Sequence, residues 1–185
     1  ELEQKNSNIK WKSHTDTETL LEAFEVWGVE KTLNKIESMF AFVIWDDQRK
    51  EAFAARDPYG IKPLYIGTNS QGLILASQVK TLISTGKFRT DKDIYSEFSF
   101  ENFGYIVEPR TWFKNIRSLE AGHYVIIRNN KIKNKKKWFQ IENLWISADE
   151  KNKKLTSSEK FDEIKKALKE TVKKHLVSDV PIGIF

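Results

Sequence analysis

Three pairs of short β-forming runs, each pair split by a turn, constrain what this 185-residue chain can fold into more than any other feature. The first pair is MFAFVIW, Met39 to Trp45, which passes through Asp46, Asp47 and Gln48 into EAFAA. The second flanks the turn-like TNSQG with PLYIG, Pro63 to Gly67, and LILAS, Leu73 to Ser77. The third joins HYVIIR, His123 to Arg128, to KIKNKKKWF across Asn129 and Asn130. Runs this short, rich in β-branched and aromatic residues and bounded by Gly, Asn and Asp, predict strands rather than helices. Successive hairpins predict a mainly antiparallel sheet system with helices laid on a face, an α+β fold.

One such helix is legible at the front. Thr15 and Glu18 have the spacing of a capping box, and Leu20, Leu21, Phe24 and Trp27 follow at helical spacing up to Gly28. Asp16 then falls in the first turn, where a carboxylate meets unpaired N–H groups and the positive end of the helix dipole. Near Ser147 the composition turns polar, and SADEKNKKLTSS predicts a linker over 147–157 between a unit at 1–146 and another at 158–185. Beyond it, Thr156 and Glu159 offer a second capping box. Phe161, Ile164, Leu168, Val172 and Leu176 form an apolar stripe that stops at Ser178 and Asp179, before Pro181. PIGIF then reads as a buried strand, and helix followed by buried strand predicts the start of an α/β domain.

Composition narrows the chemistry. The chain has no Cys, so no thiol nucleophile, disulfide or thiolate metal site can be built from it. His14, His123 and His175 are scattered, and no His or carboxylate cluster has metal-ligand spacing. No stretch approaches the roughly 18 apolar residues of a membrane span, and the opening ELEQKNSNIK lacks the features of a signal peptide, so a cytoplasmic setting without a membrane partner is expected. The net charge is +5, with five lysines concentrated in Lys131 to Lys137. Beside the turn-forming Asn129 and Asn130, that run reads as a solvated hairpin arm, and nucleic acid is not expected as a partner because no binding motif accompanies the charge. Trp27, Trp45, Trp112 and Trp138 are expected in the core or half-buried in the sheets rather than as a stacking platform. The chain opens without Met and stops inside the apolar run VPIGIF, so both ends read as cuts.

Several tracts together resemble a known family. HTDTETLLEAFEVWG at His14 to Gly28, MFAFVIWDDQRKEAFAARDPYGIKPLY at Met39 to Tyr65 and ASQVKTLI at Ala76 to Ile83 resemble the second half of class II glutamine amidotransferase domains. FGYIVEPRTWFKNIRSLEAGHYV at Phe103 to Val125 and KKHLVSDVPIGIF at Lys173 to Phe185 are similar to the late glutaminase segment and the synthetase entry of glutamine-hydrolysing asparagine synthetases. The resemblance implies an N-terminal-nucleophile glutaminase domain with αββα layers, present in part. It also implies the first helix and strand of an ATP-pyrophosphatase-type domain behind it.

The activity it implies has two stages. A cysteine nucleophile, upstream of this chain, releases ammonia from glutamine, and ATP converts aspartate to an aspartyl adenylate that ammonia attacks, giving asparagine, AMP and pyrophosphate. The substrates implied are thus glutamine, aspartate and ATP, the last with Mg²⁺ held mainly beyond Phe185. No catalytic residue is expected in this chain. Asp16 matches the acid that grips the amino group of glutamine, against the plain alternative of a helix N-terminal acid. Phe185 would border the nucleotide pocket at the carboxyl end of a first strand, or simply pack in the core. Arg56 and Asp57 are expected to be structural, within a tight turn. Amidation of a different carboxylate, amidophosphoribosyl transfer (against which VSDVPIGIF argues), a basic binding module and a homodimer stay open at this point.

Overall fold

The computed structural model describes Leu2, residues 9–176 and residues 180–183, and divides into two compact units, Glu1–Gln140 and Ile141–Phe185. The first holds two antiparallel sheets. Strands β1 (Ala41–Asp46), β2 (Glu51–Arg56), β6 (His123–Arg128) and β7 (Lys131–Lys137) lie in that order in one sheet. The other has the order β4 (Gly72–Ala76), β3 (Tyr65–Asn69), β5 (Ile116–Ser118). All three expected hairpins form: Ala41 pairs with Arg56, Tyr65 with Ala76 and Arg128 with Lys131. At the third, Asn129 and Asn130 both take positive φ, 51° and 56°, as a two-residue turn matched to the strand twist requires.

Alternation along the strands builds the layers. From β2 and β6, Ala54, Val125 and Ile127 point to a core shared with Leu64, Ile66 and Leu119 of the second sheet's side, so the two sheets pack face to face. The intervening residues Phe53, Ala55, Tyr124 and Ile126 point the other way, onto helices α1 (Asp16–Trp27) and α2 (Val29–Lys35). There Phe24 sits 5.6 Å from the Phe42 ring and 5.3 Å from Phe53. On the far side, Tyr65, Ile74 and Ala76 pack under Leu82 and Ile83 of α3 (Val79–Ser84). Helix, sheet, sheet, helix is the expected αββα order, each layer burying the face its sequence makes apolar.

Close packing fixes one glycine. A Cβ on Gly67 would lie 2.7 to 3.0 Å from three atoms of the buried Phe88 ring. Gly67→Ala is therefore expected to destabilise the first unit by about 1–3 kcal/mol through overpacking, read as a lowered urea midpoint. An unchanged midpoint would mean that Phe88 moves aside freely.

Several local readings need correction. Glu18 does not close the capping box on Thr15; its carboxylate accepts from the backbone N–H groups of Lys12 and Ser13 at 2.8 and 2.7 Å. The hydroxyl of Ser13 and those two N–H groups hold the Glu18 carboxyl below its ordinary value. Leu21 lies outside the helix stripe, 48% exposed, whereas Ala23, not part of the expected stripe, is buried. Trp45 is 58% exposed, and Trp112 also faces solvent, so only Trp27 and Trp138 match the half-buried expectation. Lys131 to Lys137 is the exposed edge strand expected of a hairpin arm, with Lys135 and Lys136 bridged to Glu120 and Glu30. Between β4 and β5, α4 (Ile94–Phe103) starts at Asp93, whose side chain caps Tyr95 N–H. Burial alone would raise the Asp93 carboxyl's affinity for a proton, but hydrogen bonds from Arg110 and Arg117 outweigh it and hold it below the ordinary carboxylate range.

The second unit consists of α5 (Ile141–Asn152) and α6 (Ser157–His175). Helix α5 occupies ground expected to be linker, so only the short stretch 153–156 separates the two helices, and the boundary between units falls between Gln140 and Ile141 rather than near Ser147. Helix α6 has the expected capping box: Thr156 and Glu159 bond reciprocally. It ends at His175, ahead of the expected stop at Ser178 and Asp179, and the latter two lie outside the described residues. The stripe from Phe161 to Leu176 is there but exposed, with Ile164 at 60% and Leu168 at 61%. Of the expected strand PIGIF, Pro181 to Gly183 have no strand pairing, and Ile184 and Phe185 lie outside the described residues.

Candidate functional site

The first unit contains a cleft of about 750 Å³ beside α1, α2 and the start of β1. Its apolar lining includes Leu20, Ala23, Trp27, Phe40 and Phe42, which the helix stripe and strand alternation deliver to one place. Ala23 and Thr32 are buried, and the Thr32 hydroxyl donates to the Ala23 carbonyl at 2.8 Å, fastening α2 to α1. Exposed polar residues complete the lining: Asp16, Thr17, Ser38, Lys62 and Ser77. An apolar hollow with a few convergent polar groups is the usual form of a small-molecule site.

Asp16 stands where the sequence puts it, at the first residue of α1, and it lines this cleft. Its carboxylate is hardly engaged, with one contact at 3.4 Å from the Thr17 hydroxyl. Thr15 does the capping, accepting from Glu18 N–H, so the helix start does not depend on the Asp16 side chain. The indole N–H of Trp27 is buried without a hydrogen-bond partner, a second polar group at the cleft with capacity to spare.

Arg56 and Asp57 do not pair with each other; each holds the turn after β2 from its own side. The buried Arg56 guanidinium donates to the carbonyls of Lys62 (2.8 Å), Gly60 (2.6 Å) and Leu119 (2.6 Å), and to Glu108 at 3.0 Å. The Asp57 carboxylate, 1% exposed, accepts from the N–H groups of Tyr59, Ile61 and Lys62 at 3.0, 3.1 and 2.9 Å. Gly60 has φ 66°, and a Cβ there would lie 3.0 Å from the guanidinium carbon, so the turn needs both the conformation and the space. The structural expectation for Arg56 and Asp57 holds, and its target is more specific than a turn: it is the backbone of 58–62.

Sequence reasoning missed Lys62, Ser38 and Ser77 as cleft residues. The signal for Lys62 was its place directly before Pro63 at the exit of a turn read only as a turn. Phe185 lies outside the described residues. Among the described residues no group of three or more His, Cys, Asp or Glu could hold a metal ion, and no helix is long and apolar enough to cross a membrane.

A solved glutamine phosphoribosylpyrophosphate amidotransferase of Bacillus subtilis matches 75% of this chain and 26% of its own with a TM-score of 0.52, at 19% identity, a likeness of fold alone. The family model described as a glutamine amidotransferase domain matches residues 1–139, and the chain belongs to that family. Asparagine synthetase [glutamine-hydrolyzing] 1 of Bacillus subtilis is 30% identical over 186 residues, 100% of this chain and 28% of the relative. A Mycobacterium tuberculosis H37Rv protein with the provisional description asparagine synthetase [glutamine-hydrolyzing] is 32% identical over 173 residues, 92% of this chain and 26% of the relative. The chain thus spans about a quarter of the length of the curated relatives it matches.

Proposed function

We propose that this chain is part of a glutamine-dependent asparagine synthetase, and that Asp16 holds the α-ammonium of glutamine in the cleft beside α1. The observation that carries the reading is the position of Asp16: a carboxylate with spare capacity, lining a largely apolar hollow, in a domain of the glutamine amidotransferase family. A carboxylate there can pair with a substrate ammonium without undoing the helix start, because Thr15 supplies the cap.

In this reading a thiolate outside the chain attacks the side-chain amide, water completes the hydrolysis, and glutamate and ammonia leave. Ammonia then attacks an aspartyl adenylate, releasing AMP as asparagine forms; adenylation is needed because a free carboxylate has no adequate leaving group. A path closed to bulk water would keep the ammonia unprotonated and nucleophilic. ATP, with Mg²⁺, would supply the activation, and the unit from Ile141 on would open the domain that uses it, with Phe185 at its edge.

The test is isotopic. The full-length protein given aspartate, ATP and glutamine labelled with ¹⁵N in the side-chain amide is expected to yield asparagine labelled in its amide, with AMP and pyrophosphate in equal amounts. Label arriving on a different acceptor would keep the glutaminase half and overturn the asparagine half. ADP in place of AMP would overturn the adenylate.

A further inference from the structure

We propose that the exposed aromatic face of α4 and of the loop after it is a docking surface for the synthetase part of the same protein that lies outside these 185 residues, and that the opposing surface is apolar with a basic residue set against Glu101; the inference rests on the asparagine synthetase reading above.

The first observation is that α4 is mounted backwards. The side it turns to the body is a narrow ridge of Asp93, Ser96 and Ser99, all buried. Polar groups fasten that ridge: Ser96 donates to the Thr111 carbonyl at 2.7 Å and Ser99 to the Tyr105 carbonyl at 2.9 Å. Asp93 caps the helix start and holds Arg110 and Arg117, each at 2.9 Å. Tyr95, Phe98, Phe100 and Phe103 stand exposed, with Trp112 against Phe100 and Tyr105 against Phe103, exposed as well. A surface helix ordinarily hides its apolar side, and aromatic side chains are what protein interfaces are enriched in. Six aromatic side chains exposed to this degree offer roughly 600 Å², against about 800 Å² that each partner brings to a stable interface.

The second observation concerns what covers this face. The chain spans 28% and 26% of two relatives, so in the reading above most of the protein lies outside it. The segment that carries the thiolate is committed elsewhere, to the cleft beside α1, which packs on the first sheet. Helix α4 is tied to the second sheet's side, where Lys92 bridges Phe113 just ahead of β5. Charge gives the occupant its sign. Glu97 is matched by Lys92 at 3.7 Å and Glu108 by Arg56, whereas the exposed Glu101 has no bridge among the described residues, and a cation on the docked surface would complement it.

The experiment places the photoreactive amino acid p-benzoylphenylalanine in place of Phe98 in the full-length protein, irradiates it and maps the product by mass spectrometry. An intramolecular cross-link to a peptide of the synthetase part outside residues 1–185 is expected, in a product of monomer mass. A cross-link between two copies, one that ends within residues 1–185 or in the segment carrying the thiolate, or no cross-link at all would each overturn the proposal. Adding Glu101→Lys is expected to lower the cross-link yield about 10-fold by setting like charges together, and an unchanged yield would overturn the basic partner. Cross-linking needs no turnover, so the two readings separate. Asparagine labelled from glutamine without this cross-link keeps the synthetase reading and overturns the docking; the cross-link in a protein that labels a different acceptor keeps the docking and overturns asparagine.

Discussion

Asp16→Asn in the full-length protein is expected to lower glutamine-dependent asparagine formation by about 10- to 100-fold, the loss of one charge-assisted hydrogen bond of about 1.5–3 kcal/mol. The helix should survive. Thr15 caps it, and Asn is well tolerated at helix starts. Synthesis driven by added ammonium needs no grip on glutamine and should continue near its normal rate. The comparison of the two nitrogen sources is therefore the measurement. Parallel loss of both, or retention of both, would make Asp16 an ordinary first-turn acid.

A larger effect, on stability rather than turnover, is expected for Arg56→Met. Methionine fills a similar volume but leaves the carbonyls of Lys62, Gly60 and Leu119 without their donor. At about 1–3 kcal/mol for each buried acceptor left unsatisfied, partly relieved by water or local movement, the net cost should be about 3–5 kcal/mol. Glu108→Gln separates this from the ion pair. The Glu108 side chain is 47% exposed, and a pair screened on one side contributes at most about 1 kcal/mol. Urea midpoints of the two variants, measured together, check the ranking; if Glu108→Gln costs as much as Arg56→Met, the ion pair dominates and the carbonyl account is wrong.

How far the sequence could be read depended on whether apolar residues marked the buried side. They did in the hairpins, where alternation along β2 and β6 sorted side chains between two cores, and in α1, where Phe24 packs on the sheet. They did not in α4. Its sequence IYSEFSFENF buries Ser96 and Ser99, whose hydroxyls donate to the carbonyls of Thr111 and Tyr105, while Tyr95, Phe98 and Phe103 are 66%, 62% and 60% exposed. Such a helix is inverted relative to the pattern by which helices are found, and it was missed for that reason. Helix α5 was missed because Asn, Ser and Asp make IENLWISADEKN look like a connection. β5 has only three residues, too few to show any period. In the cleft, Asp16 was legible through its motif, whereas the place of Lys62 in the same lining needed three dimensions, since nothing in its turn sequence points there.

The order β1–β2–β6–β7 gives the first sheet two unlike margins. One is β7, seven residues all exposed and five of them lysine, a row of like charges that repels the approach of another strand. The other is β1, which among the described residues has no strand beside its outer edge and bears Val43 and Trp45 at 46% and 58% exposure. Growth of this sheet is therefore one-sided at low ionic strength. Any added strand would meet less charge along Ala41–Asp46 than along the lysine margin. Added salt shortens the reach of those lysines to a few ångströms and so weakens the guard on that side.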